Sequence, residues 1–490
     1  MEPSSTAPTI EDSSEFRESM GSLPATLVVG AGAVVTLALS VVTLKVYALV
    51  LGPEGVGVLA LLQALLNIAA IVFSFGLNVT VIGELARADR EGSASRSVLE
   101  GTAVLLATIG ALIAVVVISL VSGIVAETIF ESHVDTAEIV LVGFAASLTI
   151  PAWVLLAIQN ARHRIRVVTA ANVGTAMAAA AIGVAMAVAF GRGALAPILL
   201  ITALAQLLIA LTAVRLFDGG FSRQLTFKWG SAAHVLRRSL PVVGSQMAGV
   251  GTAFLIPVLV LNFAGIPAVG LYRAAAAVSV GYLAFFLASL TQDYLPRIAA
   301  ASDDNQLRDL LERRMRIVIG IGGPLIVALL ALGPRLLSAL YSPAFEPANV
   351  ILQWALVGDL LRLPASVLSL VLLGKGATSR YVMYEVASAV TVLAGTVIGL
   401  KVAGLAGIGI GYAAAQVANY ALVWTIVRRY APATPGRLQV VVMALTAFTA
   451  GFLWIGVSDT ARLAVFGTVA VSLALVAWPR LARMHGRGAL

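Results

Sequence analysis

GPEGVG occupies residues 52–57, and GIPAVG occupies residues 265–270. Each closes an apolar run that opens on Ser-Leu-Pro, at 22–24 and again at 239–241. A third pair lies further on, where AVRLF (213–217) and IVRRY (426–430) end two other apolar runs. The first and last of these pairings share one offset, 213 residues, and all three sit in order at the ends of corresponding runs. A single match would be chance; three in order say that the chain contains itself twice.

Composition says what is repeated. The chain has 490 residues, 60% hydrophobic and 11% charged, with a mean hydropathy of +0.98. So few charges cannot keep that much apolar surface in water. Runs long enough to cross a bilayer, about 20 residues each, recur from end to end. Uniform apolar runs also exclude a transmembrane barrel, whose short strands alternate in polarity. The expected fold is an all-α polytopic membrane protein of about fourteen spans, centred near 37, 69, 113, 149, 178, 205, 252, 282, 328, 360, 391, 416, 447 and 469. Six spans per repeat is an even number, so both halves start on the same side of the membrane. That gives two six-helix lobes related by a pseudo-two-fold axis along the membrane normal, an arrangement suited to alternating access.

The expected organisation is a disordered cytoplasmic tail at 1–20, a first lobe at 21–217, a cytoplasmic inter-lobe linker at 218–238, a second lobe at 239–430, and two extra spans with a short tail at 431–490. The tail, MEPSSTAPTIEDSSEFRESM, is Ser-rich and acidic and lacks the basic start of a signal peptide.

Net charge is +8 and the pI about 10.0. Most of the basic residues lie in short loops, where they act as orientation signals rather than as a nucleic-acid surface. With the N-terminus inside, the loops on the cytoplasmic side carry basic groups such as Arg87, Arg90, Arg162, Arg237, Arg238 and Arg313. The opposite loops carry only Arg192, Arg335, Lys401 and Arg462. One of those loops, ETIFESHVDTAE (127–138), has four acids and no Lys or Arg. Both termini are therefore expected in the cytoplasm.

Several ionisable residues fall within or at the edges of spans: Lys45, Arg273, Asp293, Asp359, Arg362 and Glu385. A charge at mid-bilayer costs about 2.5–3.5 kcal/mol on insertion scales and should face the interior or a watery cavity. Asp359 and Arg362, in WALVGDLLRLP (354–364), are deepest. A spacing of three puts them on one helical face, where they form a self-neutralising packing pair or line a polar cavity. Lys45 and Arg273 lie near the outer ends of their spans and either snorkel or face inward. Asp293 and Glu385 lie toward the inner ends. If Lys45, Arg273 and Arg362 converge, they suit an anionic headgroup, because arginine matches phosphate oxygens with a fixed two-pronged donor set. Asp359, Glu385 and Asp293 then hold the arginines or carry a coupling proton or sodium ion. Glycine and alanine crowd the spans, as in GLAGIGIGYAAA (404–415), and let helices approach closely in lipid.

Three stretches carry a family resemblance. KVYALVLGPEGVGVLALLQ (45–63) resembles the first-hairpin signature of Wzx-type lipid-linked oligosaccharide flippases. VGLYRAAAAVSVGYLAFFLASLTQDYLPRI (269–298) is similar to the eighth span of the O-antigen and enterobacterial-common-antigen branch. ILQWALVGDLLRLPASVLSLVLLGKG (351–376), followed by Glu385, is similar to that branch's Trp…Gly-Asp…Arg segment and its following acid. The resemblance implies the multidrug/oligosaccharidyl-lipid/polysaccharide (MOP) exporter superfamily, which includes the MATE drug transporters. It also implies an undecaprenyl-diphosphate-linked glycan moved to the outer leaflet of a bacterial plasma membrane, for lipopolysaccharide or a related surface polysaccharide. The implied partners are the lipid-linked glycan, the bilayer, and polysaccharide polymerase and chain-length machinery. Lys45, Arg273 and Arg362 become contacts for diphosphate or sugar, and Asp359 and Glu385 cavity acids.

Other chemistry has little to stand on. Cysteine is absent, so no thiolate nucleophile or thiolate metal site exists. There is no GxxxxGK[ST] phosphate loop and no HExxH, and the four histidines (133, 163, 234, 485) stand singly. No long insert is present to hold a glycosyltransferase or polymerase site. No cofactor is expected, and the function is expected to be transport rather than catalysis. The rival substrates are a drug or metabolite, exchanged by a MATE-like antiporter, and the peptidoglycan lipid precursor.

Overall fold

The computed structural model describes residues 10–91, 93–131, 133–218, 229–289, 294–301, 303–430, 436–454, 465–466 and 469. Over these residues the chain is helical, with no strand. The helices are α1 (Ile10–Phe73), α2 (Leu77–Glu91), α3 (Ser93–Ile124), α4 (Thr136–Ala161), α5 (Ile165–Phe190) and α6 (Leu195–Asp218). They continue with α7 (Trp229–Ser289), α8 (Leu295–Ala300), α9 (Asp304–Leu340), α10 (Ala348–Gly374), α11 (Thr378–Val427) and α12 (Gly436–Trp454). Eight stretches among the described residues are long and apolar enough to cross a membrane. Three of them, Val28–Ala88, Ile165–Leu216 and Thr378–Val427, run to 61, 52 and 50 residues, each enough for two crossings. The expected span centres from 37 to 447 all fall on helices. The last, near 469, falls where few residues are described.

Three of the helices are pairs joined at a kink. α1 breaks at Gly52 (φ 65°, ψ −173°), α7 at Gly265 (φ 79°, ψ 174°) and α11 at Gly404 (φ 54°, ψ −131°). Glycine reaches such φ values without a Cβ penalty. The sequence repeat reappears here as backbone conformation. Gly52 and Gly265 stand 213 residues apart, and the residue at the same offset before Gly404 is Gly191, with φ 59° and ψ −134°. The turn between α4 and α5 matches that between α10 and α11. Arg162, His163 and Arg164 have φ of −81°, 55° and −87°; Lys375, Gly376 and Ala377 have −87°, 74° and −81°. Pro151 in α4 and Pro364 in α10 keep the offset too.

Packing divides the chain into two units. The first comprises Met1–Val50, Leu66–Val125 and Asp135–Gly244; the second comprises Leu51–Leu65, Ala126–Val134 and Ser245–Leu490. In the first unit, α3 and α4 meet through small side chains such as Ala103, Ala107 and Ala114, with Leu77, Val81 and Leu85 of α2 completing the core. Small residues substitute here for the hydrophobic drive that lipid removes. Two half-sealed acids tie the helix ends: Arg162 clamps Glu100 with bonds of 3.1 and 2.6 Å, and Arg238 and Arg87 each reach Glu84 at 2.8 Å.

α1 begins at Ile10, within the stretch expected as a tail. Residues 229–238, expected within a linker, begin α7, where Ala232 and Val235 are buried in the first unit's core and Arg238 holds Glu84. The second span is also broken, at Ser74–Gly76, where Phe75 and Gly76 take φ of 53° and 71°. A Cβ at Gly76 would come 2.9 Å from the Ser239 carbonyl oxygen, so this break is what admits the start of α7.

α10 is the central pole of the second unit. Nearly every residue from Leu356 to Leu372 is buried, against α9, α11 and α12. The two halves of α11 fold on each other through glycine: Gly395 meets Gly411 and Gly399 meets Gly407, backbone to backbone. Leu51–Leu65 packs in this unit by a reciprocal contact. Gly57 lies against the Ile266 carbonyl, and Gly270 against the Pro53 carbonyl. Gly57 and Gly270 are 213 residues apart, as are Pro53 and Ile266, so equivalent residues exchange equivalent contacts, the mark of a two-fold relation.

Candidate functional site

The site is built on α10. Asp359 is fully buried, and a buried carboxylate is tolerable only where its oxygens accept hydrogen bonds. Two helices supply them. Ser279 of α7 donates to Oδ2 at 2.6 Å, and the Tyr412 hydroxyl of α11 donates to Oδ1 at 2.7 Å. Arg362 Nη1 in turn donates to the Tyr412 oxygen at 3.0 Å. Tyr412 thus stands between the acid and the base that the sequence sets three residues apart. Local sequence explains how it gets there. Gly358 precedes Asp359, and a Cβ at that position would sit 2.9 Å from the Tyr412 ring. Gly409 does the same one turn earlier, where a Cβ would come 2.6 Å from the Ile351 carbonyl and 2.7 Å from Trp354 Cβ.

Arg362 lines a cavity of about 480 Å³ within the second unit, walled by α7, α10 and α11. Its wall also carries Glu385 and four tyrosines, Tyr272, Tyr381, Tyr384 and Tyr412. Glu385 lies in the field of Arg362 and within hydrogen-bonding reach of the Tyr381 hydroxyl. The volume is in the range of small-molecule sites, roughly 300–1,000 Å³.

Of the residues singled out in the sequence, the structure brings together Arg362, Glu385 and Asp359, the last behind the wall through Tyr412. Arg273 is exposed and does not line the cavity, although its neighbour Tyr272 does. Lys45 is half-buried on α1 in the first unit. Asp293 lies outside the described residues. The tyrosines and Ser279 were missed because a neutral hydroxyl in a span is unremarkable. For Tyr412 a signal existed: it follows the glycine stripe GIGIG (407–411), whose close packing fixes what comes next. Among the described residues, no group of three or more His, Asp or Glu could hold a metal ion.

Residues 46–350, more than half of the chain, match the family model described as polysaccharide biosynthesis protein. No curated protein matches the sequence. Among solved structures, the lipid II flippase MurJ in an inward closed conformation aligns with a TM-score of 0.68 at 11% identity, over 94% of this chain and 99% of that one. An inward-facing multidrug resistance MATE transporter of the MOP superfamily aligns with a TM-score of 0.61 at 16% identity, over 85% and 99%. A MOP superfamily transporter from Pyrococcus furiosus, described by the reverse polarity of its binding pocket, gives 0.56 at 16% identity, over 82% and 95%. At these identities the likeness establishes the fold alone, the one that these three structures share.

Proposed function

The chain belongs to the polysaccharide biosynthesis protein family, and from that premise we propose that it is a flippase for an undecaprenyl-diphosphate-linked oligosaccharide. It carries the headgroup from the cytoplasmic to the outer leaflet of a bacterial plasma membrane by alternating access, with both termini cytoplasmic. The polyprenyl tail stays in lipid. The observation that carries this reading is Arg362, an arginine within an apolar span and on the wall of a cavity. A cation in the middle of a span is costly unless it is paired or faces a polar cavity. Arg273 and Lys45 are the further proposed contacts to diphosphate or sugar, and polymerase and chain-length machinery the proposed downstream partners.

The test is direct. Reconstituted with a fluorescent polyprenyl-diphosphate glycan, the protein should expose the label to an external quencher or lectin faster than empty liposomes do. Arg362→Ala should slow it about tenfold or more. Equal rates in protein-containing and empty liposomes would end the reading, and an unchanged rate in Arg362→Ala and Arg273→Ala would remove the site assignment. Lipid II in the same assay separates a peptidoglycan-precursor flippase. Asp359 and Glu385 either position the arginine or carry a coupling proton or sodium ion. An imposed gradient that accelerates the wild type but not Glu385→Gln assigns coupling to Glu385.

A second reading has one observation behind it. Four tyrosines and a carboxylate on one wall also suit an aromatic organic cation, the cargo class of a multidrug antiporter. Ethidium efflux by the same liposomes, without glycan movement, would favour it.

A further inference from the structure

Six hydroxyls around the second-unit cavity have their protons engaged by protein acceptors. Thr252 donates to the Ala248 carbonyl at 2.6 Å, Ser366 to that of Arg362 at 2.9 Å, Ser369 to that of Ser366 at 3.1 Å, and Thr396 to that of Val392 at 2.8 Å. Ser279 and Tyr412 donate to Asp359. A hydroxyl has one proton and two lone pairs. Each of these groups therefore has its donor committed and turns acceptor capacity toward whatever fills the space.

Charge points the same way. Among the described residues, the one cation on the wall is Arg362; against it stand Glu385 on the wall and Asp359 behind. With both carboxylates ionised the three sum to −1; with one protonated they sum to zero. A diphosphate is an acceptor with several negative charges, so beyond the donors of Arg362 and Gln416 it would face lone pairs, with no surplus of positive charge. An aromatic cation would satisfy the charge but leave the ring of acceptors unmatched, and unmatched buried acceptors are costly. The ligand that fits brings many O–H or N–H donors, apolar C–H faces to lie on the tyrosine rings, and no net negative charge. That is a carbohydrate.

We infer that the cavity walled by α7, α10 and α11 is a glycan site, seating neutral or amino-sugar rings of the headgroup and not its diphosphate. The inference rests on the flippase reading for the origin of the sugar. It leaves the diphosphate to cations outside this wall, among them the exposed Arg273.

The experiment uses the full chain in lipid nanodiscs and calorimetric titration with three probes. These are the repeat-unit oligosaccharide freed of lipid and phosphate by mild acid from the producing strain's surface polysaccharide, inorganic pyrophosphate, and ethidium. The oligosaccharide should bind saturably and pyrophosphate should not compete with it. Tyr272→Leu, which keeps bulk and removes the aromatic face, should weaken binding about tenfold, whereas Tyr272→Phe should stay within about threefold, both melting as the wild type does without ligand. Failure of the oligosaccharide to bind overturns the inference, as does pyrophosphate or ethidium displacing it. Flipping without saccharide binding removes the glycan site and leaves the transport reading. Saccharide binding without flipping does the reverse.

Discussion

A carboxylate with no exposed surface, Asp359, is held by Ser279 and Tyr412, and Tyr412 passes the contact on to Arg362. Tyr412→Phe removes an oxygen that contacts both acid and base while keeping the ring. It takes one hydrogen bond from a buried anion and another from a guanidinium. Bonds to charged groups contribute about 1.5–3 kcal/mol in soluble proteins, and interhelical bonds in membranes average about 0.6 with a maximum near 1.7. We therefore expect a loss of about 1–2 kcal/mol, read as a lowered melting temperature in detergent. Gly358→Ala should cost a similar amount by another route, since overpacking typically costs about 1–3 kcal/mol and the new Cβ would press on the same ring at 2.9 Å. Wild-type melting in both variants would refute the view that Tyr412 is fixed by this packing. At this scale the sequence exposed Asp359, Arg362 and Glu385, because charge in an apolar run stands out. It concealed Tyr412, Ser279, Tyr272 and Tyr384, because a hydroxyl costs too little in a helix to be conspicuous and its importance depends on which helix it faces.

Helices and their connections repeat more faithfully than side chains do. The α4–α5 turn and the α10–α11 turn share their cap conformations and their hydrogen bonds: Arg162 N–H donates to the Ile158 carbonyl as Lys375 N–H does to that of Val371, and Arg164 N–H to that of Gln159 as Ala377 N–H does to that of Leu372. Yet the left-handed residue between them is His163 in one turn and Gly376 in the other. A left-handed conformation costs an ordinary residue roughly 1–2 kcal/mol, so Gly376→Ala should destabilise by about 1 kcal/mol, net of the unfolded-state entropy that alanine saves. Asn at the same position, which tolerates this region, should recover most of the loss; melting temperatures of the two variants check the pair. An alanine variant as stable as the wild type would mean that the turn relaxes. The repeat was legible in GPEGVG and GIPAVG because these kinks need glycine, and glycine is visible. The start of α7 at Trp229 was not, since residues 229–238 are mostly small and end on Arg237 and Arg238, and their burial against α2 and α4 depends on a break at Ser74–Gly76 that looks like continuous span.

The molecule as a whole is a duplicated chain whose second unit takes in Leu51–Leu65, a segment that precedes most of the first unit in sequence. What holds that segment is the reciprocal pair, Gly57 on the Ile266 carbonyl and Gly270 on the Pro53 carbonyl. Neither glycine needs a left-handed φ here; each is required because backbone approaches backbone where a Cβ would stand. Gly57→Ala and Gly270→Ala should each therefore cost about 1–3 kcal/mol, seen as a lower melting temperature. If the two glycines serve one contact, the first alanine already pushes the segments apart and the second finds space. The double variant should then fall short of the summed losses by about 0.5–3 kcal/mol, the range found for residues in direct contact. A control cycle pairing Gly57→Ala with Gly358→Ala, which share no partner among their nearest atoms, should be additive within about 0.5 kcal/mol. Additivity in both cycles would show that the equivalent glycines act independently, and the two-fold contact would then be a consequence of the fold rather than one of the things that hold it.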